Sequence, residues 1–273
     1  MVMQAGNLAL NPEFEKVRAE LQAARENYTL LVEEYSNLTG VVSQYLQSEY
    51  MLKIGKKEHK LFSCQVEILR LKREISLFQA ARNRNETITS EEVKKIIRKE
   101  FAEYQEQLEK QKEELERARL YFGAKKLTQK EVKSLKKLYH DLVRKLHPDI
   151  NPGLPDEAVA LWMRIKFAYQ INDWQELTLL AEMVDELLDG KNAAAITASS
   201  LVLLQEELEK ITRKTAELKE RIEKTKKQVP FVYEELLSDP AAVKAKRREL
   251  DSQIKLCEAR IVELQELRQE FGA

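Results

Sequence analysis

Residues 130–170, KEVKSLKKLYHDLVRKLHPDINPGLPDEAVALWMRIKFAYQ, decide the fold. At their centre His147-Pro148-Asp149 separates two stretches of apolar periodicity. Leu135, Leu138, Tyr139, Leu142 and Leu146 fall on one face at helical spacing. Thr128-Gln-Lys-Glu131 has the form of a capping box that starts this helix. Pro148 lacks an N–H and pushes the residue before it out of the α region, so the helix stops at about Leu146 or His147. Asn151-Pro152-Gly153 supplies a tight turn in which glycine takes φ > 0. Pro155 suits the first turn of a second helix, whose stripe is Leu161, Trp162, Ile165, Ala168 and Tyr169. The spacing predicts two amphipathic helices packed antiparallel. A stiff, exposed loop from Pro148 to Asp156 then holds an imidazole and a carboxylate near each other.

The opposite face of the first helix is basic. Lys133, Lys137, His140 and Arg144 recur once per turn, with Lys130 and Lys136 beside them. Packing the apolar stripes together leaves this face in water. An ionised Asp149 can meet a partner's arginine in a charge-assisted contact, and the cationic stripe steers an acidic surface toward it. This reading requires the corner to be accessible. A corner held inside its own molecule would contradict it.

At these residues the segment resembles the J-domain of DnaJ-type co-chaperones. The family pattern of a Lys-Lys pair, a Tyr, a Leu, a Lys and then His-Pro-Asp is met by Lys136-Lys137, Tyr139, Leu142, Lys145 and His147-Pro148-Asp149. In the next helix its aromatic, Ile and Ala-Tyr are met by Trp162, Ile165 and Ala168-Tyr169. The match covers about residues 125–188. It implies docking on a DnaK-type ATPase through His147, Pro148, Asp149, Lys133, Lys136, Lys137, Arg144 and Lys145, with stimulation of ATP hydrolysis there. The sequence departs from the family in several places. Leu120-Tyr121-Phe122-Gly123 stands where a short first helix is usual, Asp141 where a basic residue is common, and Gln170-Ile171-Asn172-Asp173 in place of a Leu-Ser-Asp ending. No Gly/Phe-rich linker or Cys-rich repeat follows.

Composition agrees with an all-α protein. Among 273 residues, 34% are charged, and Gly and Pro number only 7 and 6, which is helix-rich usage. Lys+Arg and Asp+Glu are both 46, so the net charge is zero, which argues against broad phosphate neutralisation and hence against a nucleic-acid partner. Cys64 and Cys257 sit at apolar helical positions and read as small buried hydrophobes. No signal peptide or bilayer-length apolar run is present, and the expectation is a cytoplasmic protein without a membrane partner.

The flanks read as coiled coils. Val17, Leu21, Ala24, Tyr28, Leu31, Tyr35 and Leu38 step three-four, and Gly40 is placed as the stop. A helix from about Val41 to Arg84 continues the alternation, Thr89-Ser-Glu-Glu92 forms a second capping box, and a third helix carries Ile97, Phe101, Tyr104, Leu108, Leu115 and Phe122. Asn172 is placed as the cap of a helix to about Leu188, and 191–200 reads as a linker. Leu201, Leu204, Leu208, Ile211, Thr215, Leu218 and Ile222 form one further seam; Val243, Leu250, Ile254, Cys257, Ile261, Leu264 and Phe271 form another. Joined by a short break, the two predict an antiparallel helical hairpin. The expected organisation is an N-terminal helical region, 1–124, a J-like module, 125–190, and a linker with the hairpin, 191–273. The unpaired seams also allow a homo-oligomer.

No nucleophile elbow, Cys–His pair, glycine-rich phosphate loop or metal-ligand spacing is found, so the expectation is a non-enzyme with no catalytic residue, metal or cofactor. Two functions compete. One is a co-chaperone or adaptor for a DnaK-type ATPase, its client unspecified. The other is a coiled-coil scaffold whose J-like hairpin does not stimulate.

Overall fold

The computed structural model describes residues 12–123, 129–189 and 201–272, and no strand occurs among them. The protein is all-α. Helix α1 (Pro12–Asn37) continues through a π turn (Leu38–Val42) into α2 (Ser43–Tyr50), and through a second (Met51–Gly55) into α3 (Lys56–Asn83). Then come α4 (Ser90–Glu100), α5 (Ala102–Gly123), α6 (Gln129–Leu146), α7 (Asp156–Gln170), α8 (Trp174–Asp189) and α9 (Leu201–Lys226). A 3-10 turn (Phe231–Tyr233), α10 (Glu234–Ser238) and α11 (Pro240–Gly272) complete the chain. Thr128 of the first expected capping box and the linker 191–200 lie outside the described residues.

Local chemistry explains most boundaries. The Thr89–Glu92 capping box forms: the Glu92 amide donates to Thr89 Oγ1 at 3.2 Å, and the Thr89 amide to Glu92 Oε2 at 2.8 Å. Three expectations are corrected. Gly40 does not end the first helix. It lies in the π turn because a Cβ there would come within 3.0 Å of the Gln170 Cα, so glycine serves the close approach of α7. The helix expected through Phe101 is broken there, where the backbone turns (φ −102°, ψ 10°) and buries the ring beside Val66, Phe78, Val93 and Ile97. Asn172 does not cap α8. It takes φ 56°, and Asp173 Oδ1 accepts the Glu176 amide at 3.0 Å.

The described helices fall into two compact units, and neither is a consecutive segment. The first comprises Met1–Gln44 with Lys126–Phe231; the second comprises Tyr45–Lys125 with Val232–Ala273. The expected boundary at 124/125 falls within one residue of a division in the packing, at 125/126, whereas the one at 190/191 lies inside the first unit and the divisions at 44/45 and 231/232 were not expected. Nor do the two C-terminal seams face each other as a hairpin. The α9 seam, with Leu204, Ile211, Leu218 and Ile222 buried, packs on α1, whereas α11 buries Val243, Leu250, Ile254 and Leu264 alongside α3. Heptad spacing shows that a helix has a seam, not which other seam it meets.

In the first unit α1 is buried on more than its seam. Thr29, Val32 and Ser36 are covered as well as Val17, Leu21 and Tyr28, because the helix packs against α6 and α7 as well as α9. Its small hydroxyls are satisfied locally or across the interface: Thr29 Oγ1 donates to the Arg25 carbonyl at 2.9 Å, and Ser36 Oγ pairs with Tyr139 Oη at 2.8 Å. In the second unit Glu74, 1% exposed, is held by Arg70 from its own helix and by Arg268 of α11. Removing one guanidinium weakens the compensation of a carboxylate that has already lost its water. Arg268→Ala is expected to cost about 1–2 kcal/mol in urea unfolding. Glu74→Met, which removes the buried charge at similar volume, should cost less.

Candidate partner-binding site

Helices α6 and α7 lie against each other through Tyr139, which stacks on Tyr169 (centroids 3.8 Å apart, planes at 6°) and on Trp162 (6.0 Å). The loop between them starts as expected. Helix α6 ends at Leu146, Pro148 is exposed, and Gly153 takes φ 90°. Pro155 precedes α7 as its N-cap. Inside the loop the Asp149 amide donates to His147 Nδ1 at 3.1 Å, which places the imidazole proton on Nε2. The Asn151 side-chain amide donates to the Arg144 carbonyl at 2.8 Å, closing the end of α6. The tripeptide is thus a defined corner built by its own short-range bonds.

The corner is not free, and this corrects the expectation of an outward-pointing loop. Tyr28 of α1 donates through its hydroxyl to Asp149 Oδ2 at 2.6 Å, and Lys214 of α9 donates to Asp149 Oδ1. The Asp149 side chain keeps 28% of its surface in solvent. The His147 ring is wedged edge-on between Tyr28 (5.5 Å) and Trp162 (5.1 Å). The bulk of the polar side chains in the corner is therefore spoken for by helices far away in sequence.

Electrostatics follow from these contacts. Burial pushes the His147 imidazole down to about 4, and Lys214 and Lys166 push the same way, against the opposing pull of Asp149. For Asp149 burial works upward, but the hydrogen bonds from Lys214 and Tyr28 and the nearby His147 outweigh it and hold the carboxyl below its usual range. Burial, then the bond to Asp149, raises the Tyr28 hydroxyl well above its ordinary value. At neutral pH the corner is a neutral imidazole beside a carboxylate.

The basic stripe divides into two halves. Lys133, Lys136 and Lys137 are exposed. The other half is engaged in ion pairs, with His140 largely covered and Arg144 and Lys145 still exposed, whereas a wholly solvated, unpaired face was expected. Glu26 of α1 meets His140 Nε2 at 3.2 Å and Arg144 Nε at 3.4 Å, and Glu33 meets His140 Nδ1 at 3.1 Å. Lys145 pairs with Asp185 of α8 at 2.6 Å. The sequence reading missed Tyr28, Lys214, Glu26 and Glu33 as members of this site. Tyr28 reads as a seam residue, and no pattern in the sequence singles out Lys214. The available signal was Glu26 and Glu33 a heptad apart, an acidic match to the spacing of the α6 cations.

No family, curated protein or solved structure matches the chain.

The described residues contain no group of His, Cys, Asp or Glu arranged to hold a metal, and no described helix is long and apolar enough to cross a membrane. A polar cleft of about 190 Å³ between α1 and the corner, walled by Arg25, Glu26, Arg144 and Asn151, keeps one side of the contact open to water. The arrangement suits reversible polar recognition. Its imidazole and carboxylate point into tyrosine, tryptophan and lysine rather than toward a substrate-sized pocket.

Proposed function

We propose that the chain is a J-type co-chaperone or adaptor that engages a DnaK-type ATPase through the corner His147-Pro148-Asp149 and the lysine half of α6. The observation that carries this reading is the junction of α6 and α7. A self-bonded His-Pro-Asp turn ends a helix whose Lys133, Lys136 and Lys137 stand in solvent. Such lysines accelerate encounter with an acidic surface, and added salt weakens that effect. Asp149 supplies the specific contact to a cation on the partner once Tyr28 and Lys214, which hold it in this structure, let go. The long helices on either side would carry the client or assembly to which the ATPase is recruited, and a cytoplasmic location accompanies this reading.

A second reading is favoured by one specific observation. Both oxygens of Asp149 are bonded inside the molecule, so the corner also works as a structural clasp joining α1, α6 and α9 in a scaffold that stimulates no ATPase. Single-turnover ATP hydrolysis by a DnaK-type chaperone separates the two. The co-chaperone reading expects a chain-dependent rise over the basal rate that His147→Gln removes and that high salt reduces. A basal rate with wild type, with His147→Gln and with Tyr28→Phe/Lys214→Ala, which removes the internal bonds to Asp149, overturns it and leaves the scaffold.

A further inference from the structure

We propose that α1 and α9 form an autoinhibitory latch on the His147-Pro148-Asp149 corner, with Tyr28 and Lys214 as its two bolts. This inference rests on the co-chaperone reading and adds regulation to the same site.

The bolts are distributed so as to oppose a competitor. A carboxylate is recognised most strongly by a guanidinium fork that uses both oxygens. Here Tyr28 takes Oδ2 and Lys214 takes Oδ1, so each oxygen already holds one strong donor. A partner cation must compete with both bolts for a two-point contact with Asp149. The Tyr28 ring packs edge-on against the imidazole, centroids 5.5 Å apart, so the hydroxyl bond to Asp149 also pins that ring over His147.

The same helix imitates an acidic partner along the stripe. Glu26 and Glu33 of α1 hold His140 and Arg144, where a docking surface rich in carboxylates would otherwise sit. One helix thereby contacts the corner and the His140–Arg144 half of the stripe, while Lys133, Lys136 and Lys137 stay in solvent.

The polar bolts can release while the seam between α1 and α9 stays closed, because the bonds to Asp149 are made by the Tyr28 hydroxyl and the Lys214 ammonium, not by the apolar seam. Helices α1 and α9 are joined by their apolar seams and by separate ion pairs, Arg25–Glu207 at 2.8 Å and Lys226–Glu34 at 3.2 Å. Of the two bolts, Lys214 lies at a partly solvated edge, where it and Asp149 each keep 28% of their side-chain surface, whereas Tyr28 is buried and reaches Asp149 only through its hydroxyl. Polar contacts at such an edge exchange with water at modest cost, unlike a dry core.

The experiment uses the full chain in three forms: wild type, Tyr28→Phe with Lys214→Ala, and that pair with His147→Gln added. Two quantities are read, the rate of His147 modification by diethylpyrocarbonate, located by peptide mass spectrometry, and single-turnover ATP hydrolysis by a DnaK-type chaperone. The opened variant is expected to be modified about tenfold faster, the size of change that loss of one or two charge-assisted hydrogen bonds makes in an opening equilibrium. It should also exceed wild type in stimulation, and His147→Gln should abolish the excess. Unchanged modification overturns the latch alone. Wild type that already stimulates as strongly as the opened variant overturns the latch and leaves the co-chaperone reading standing. Faster modification with no stimulation by any form overturns the co-chaperone reading, and the regulatory role falls with it. Lys214→Ala alone, a change at a part-exposed lysine, replaces the double variant if the latter melts early by circular dichroism, and the same outcomes decide.

Discussion

Replacing Tyr139 with Ala is expected to destabilise the first unit by about 3–5 kcal/mol, the range seen when a large aromatic side chain is deleted from a core. Three losses coincide at this residue. Its ring is 0% exposed and sits face to face with Tyr169 while also touching Trp162, so deletion leaves a cavity between α6 and α7. Its hydroxyl is the partner of Ser36, which is itself 2% exposed and would be left with a buried unsatisfied group. Tyr139→Phe separates these parts. It keeps the stack and removes only the hydroxyl, so its cost should be about 1–2 kcal/mol. Urea unfolding followed by tryptophan fluorescence measures both, and it reports on the correct unit because both tryptophans of the chain, Trp162 and Trp174, lie within it. A loss below 1 kcal/mol for Tyr139→Ala would mean that α6 and α7 are not held together through this stack.

Acidification is expected to weaken the same unit through His147. The imidazole is held at about 4 against an ordinary value of 6.5, so between those two pH values the unfolded chain takes up a proton that the folded chain refuses. A depressed folded value means that the stabilisation is complete above pH 6.5 and is lost as pH falls toward 4, and its full size is on the order of 3 kcal/mol. The charges that bear on the ring come from every side that packs against it: Asp149 in the loop, Lys214 on α9 and Lys166 on α7, with the neutral Tyr28 hydroxyl on α1. Asp149 contributes with the same sign, but its loss falls at lower pH because its carboxyl is held below 3.8. Comparing wild type with His147→Gln across pH 4–6.5 therefore isolates the imidazole. A parallel pair of stability curves over that interval would show that the ring is not buried in its neutral form.

The all-α class and most helix limits could be read from residue patterns because they are set locally. Pro148 ends α6, the Thr89–Glu92 box starts α4, and Gly153 makes the turn whatever the rest of the chain does. The apolar faces were equally plain: Leu135, Tyr139, Leu142 and Leu146 are all buried, as are Ile165, Ala168 and Tyr169. Partner choice was not legible. The seams of α9 and α11 follow one another in sequence and have matching lengths, yet each packs on an N-terminal helix, since three-four spacing is the same for every possible mate. Gly40 shows a related limit. A glycine before a new helical stretch resembles a stop until the Gln170 backbone is known to pass 3.0 Å from where its Cβ would be.

The candidate site divides along the same line. The corner and its lysines were evident as a motif, because a turn and a charged face are properties of neighbouring residues. Their occupation by Tyr28 and Lys214 was not, because those contacts span 121 and 65 residues and leave no periodic trace. Val32, Thr29 and Ser36 had no place on the α1 seam, yet their burial is what tells that this helix serves two neighbours at once.

The interleaved order of the two units sets a timetable for assembly. Each is built from an early and a late piece of the chain, so Tyr28 must wait for Asp149, and both must wait for Lys214, before the corner is covered. Helical proteins ordinarily form quickly because their contacts are short in sequence; this one has the local structure of a fast folder and the closing distances of a slow one. A growing polypeptide would accordingly display the His-Pro-Asp turn without its Lys214 contact from the moment α6 and α7 emerge until α9 arrives.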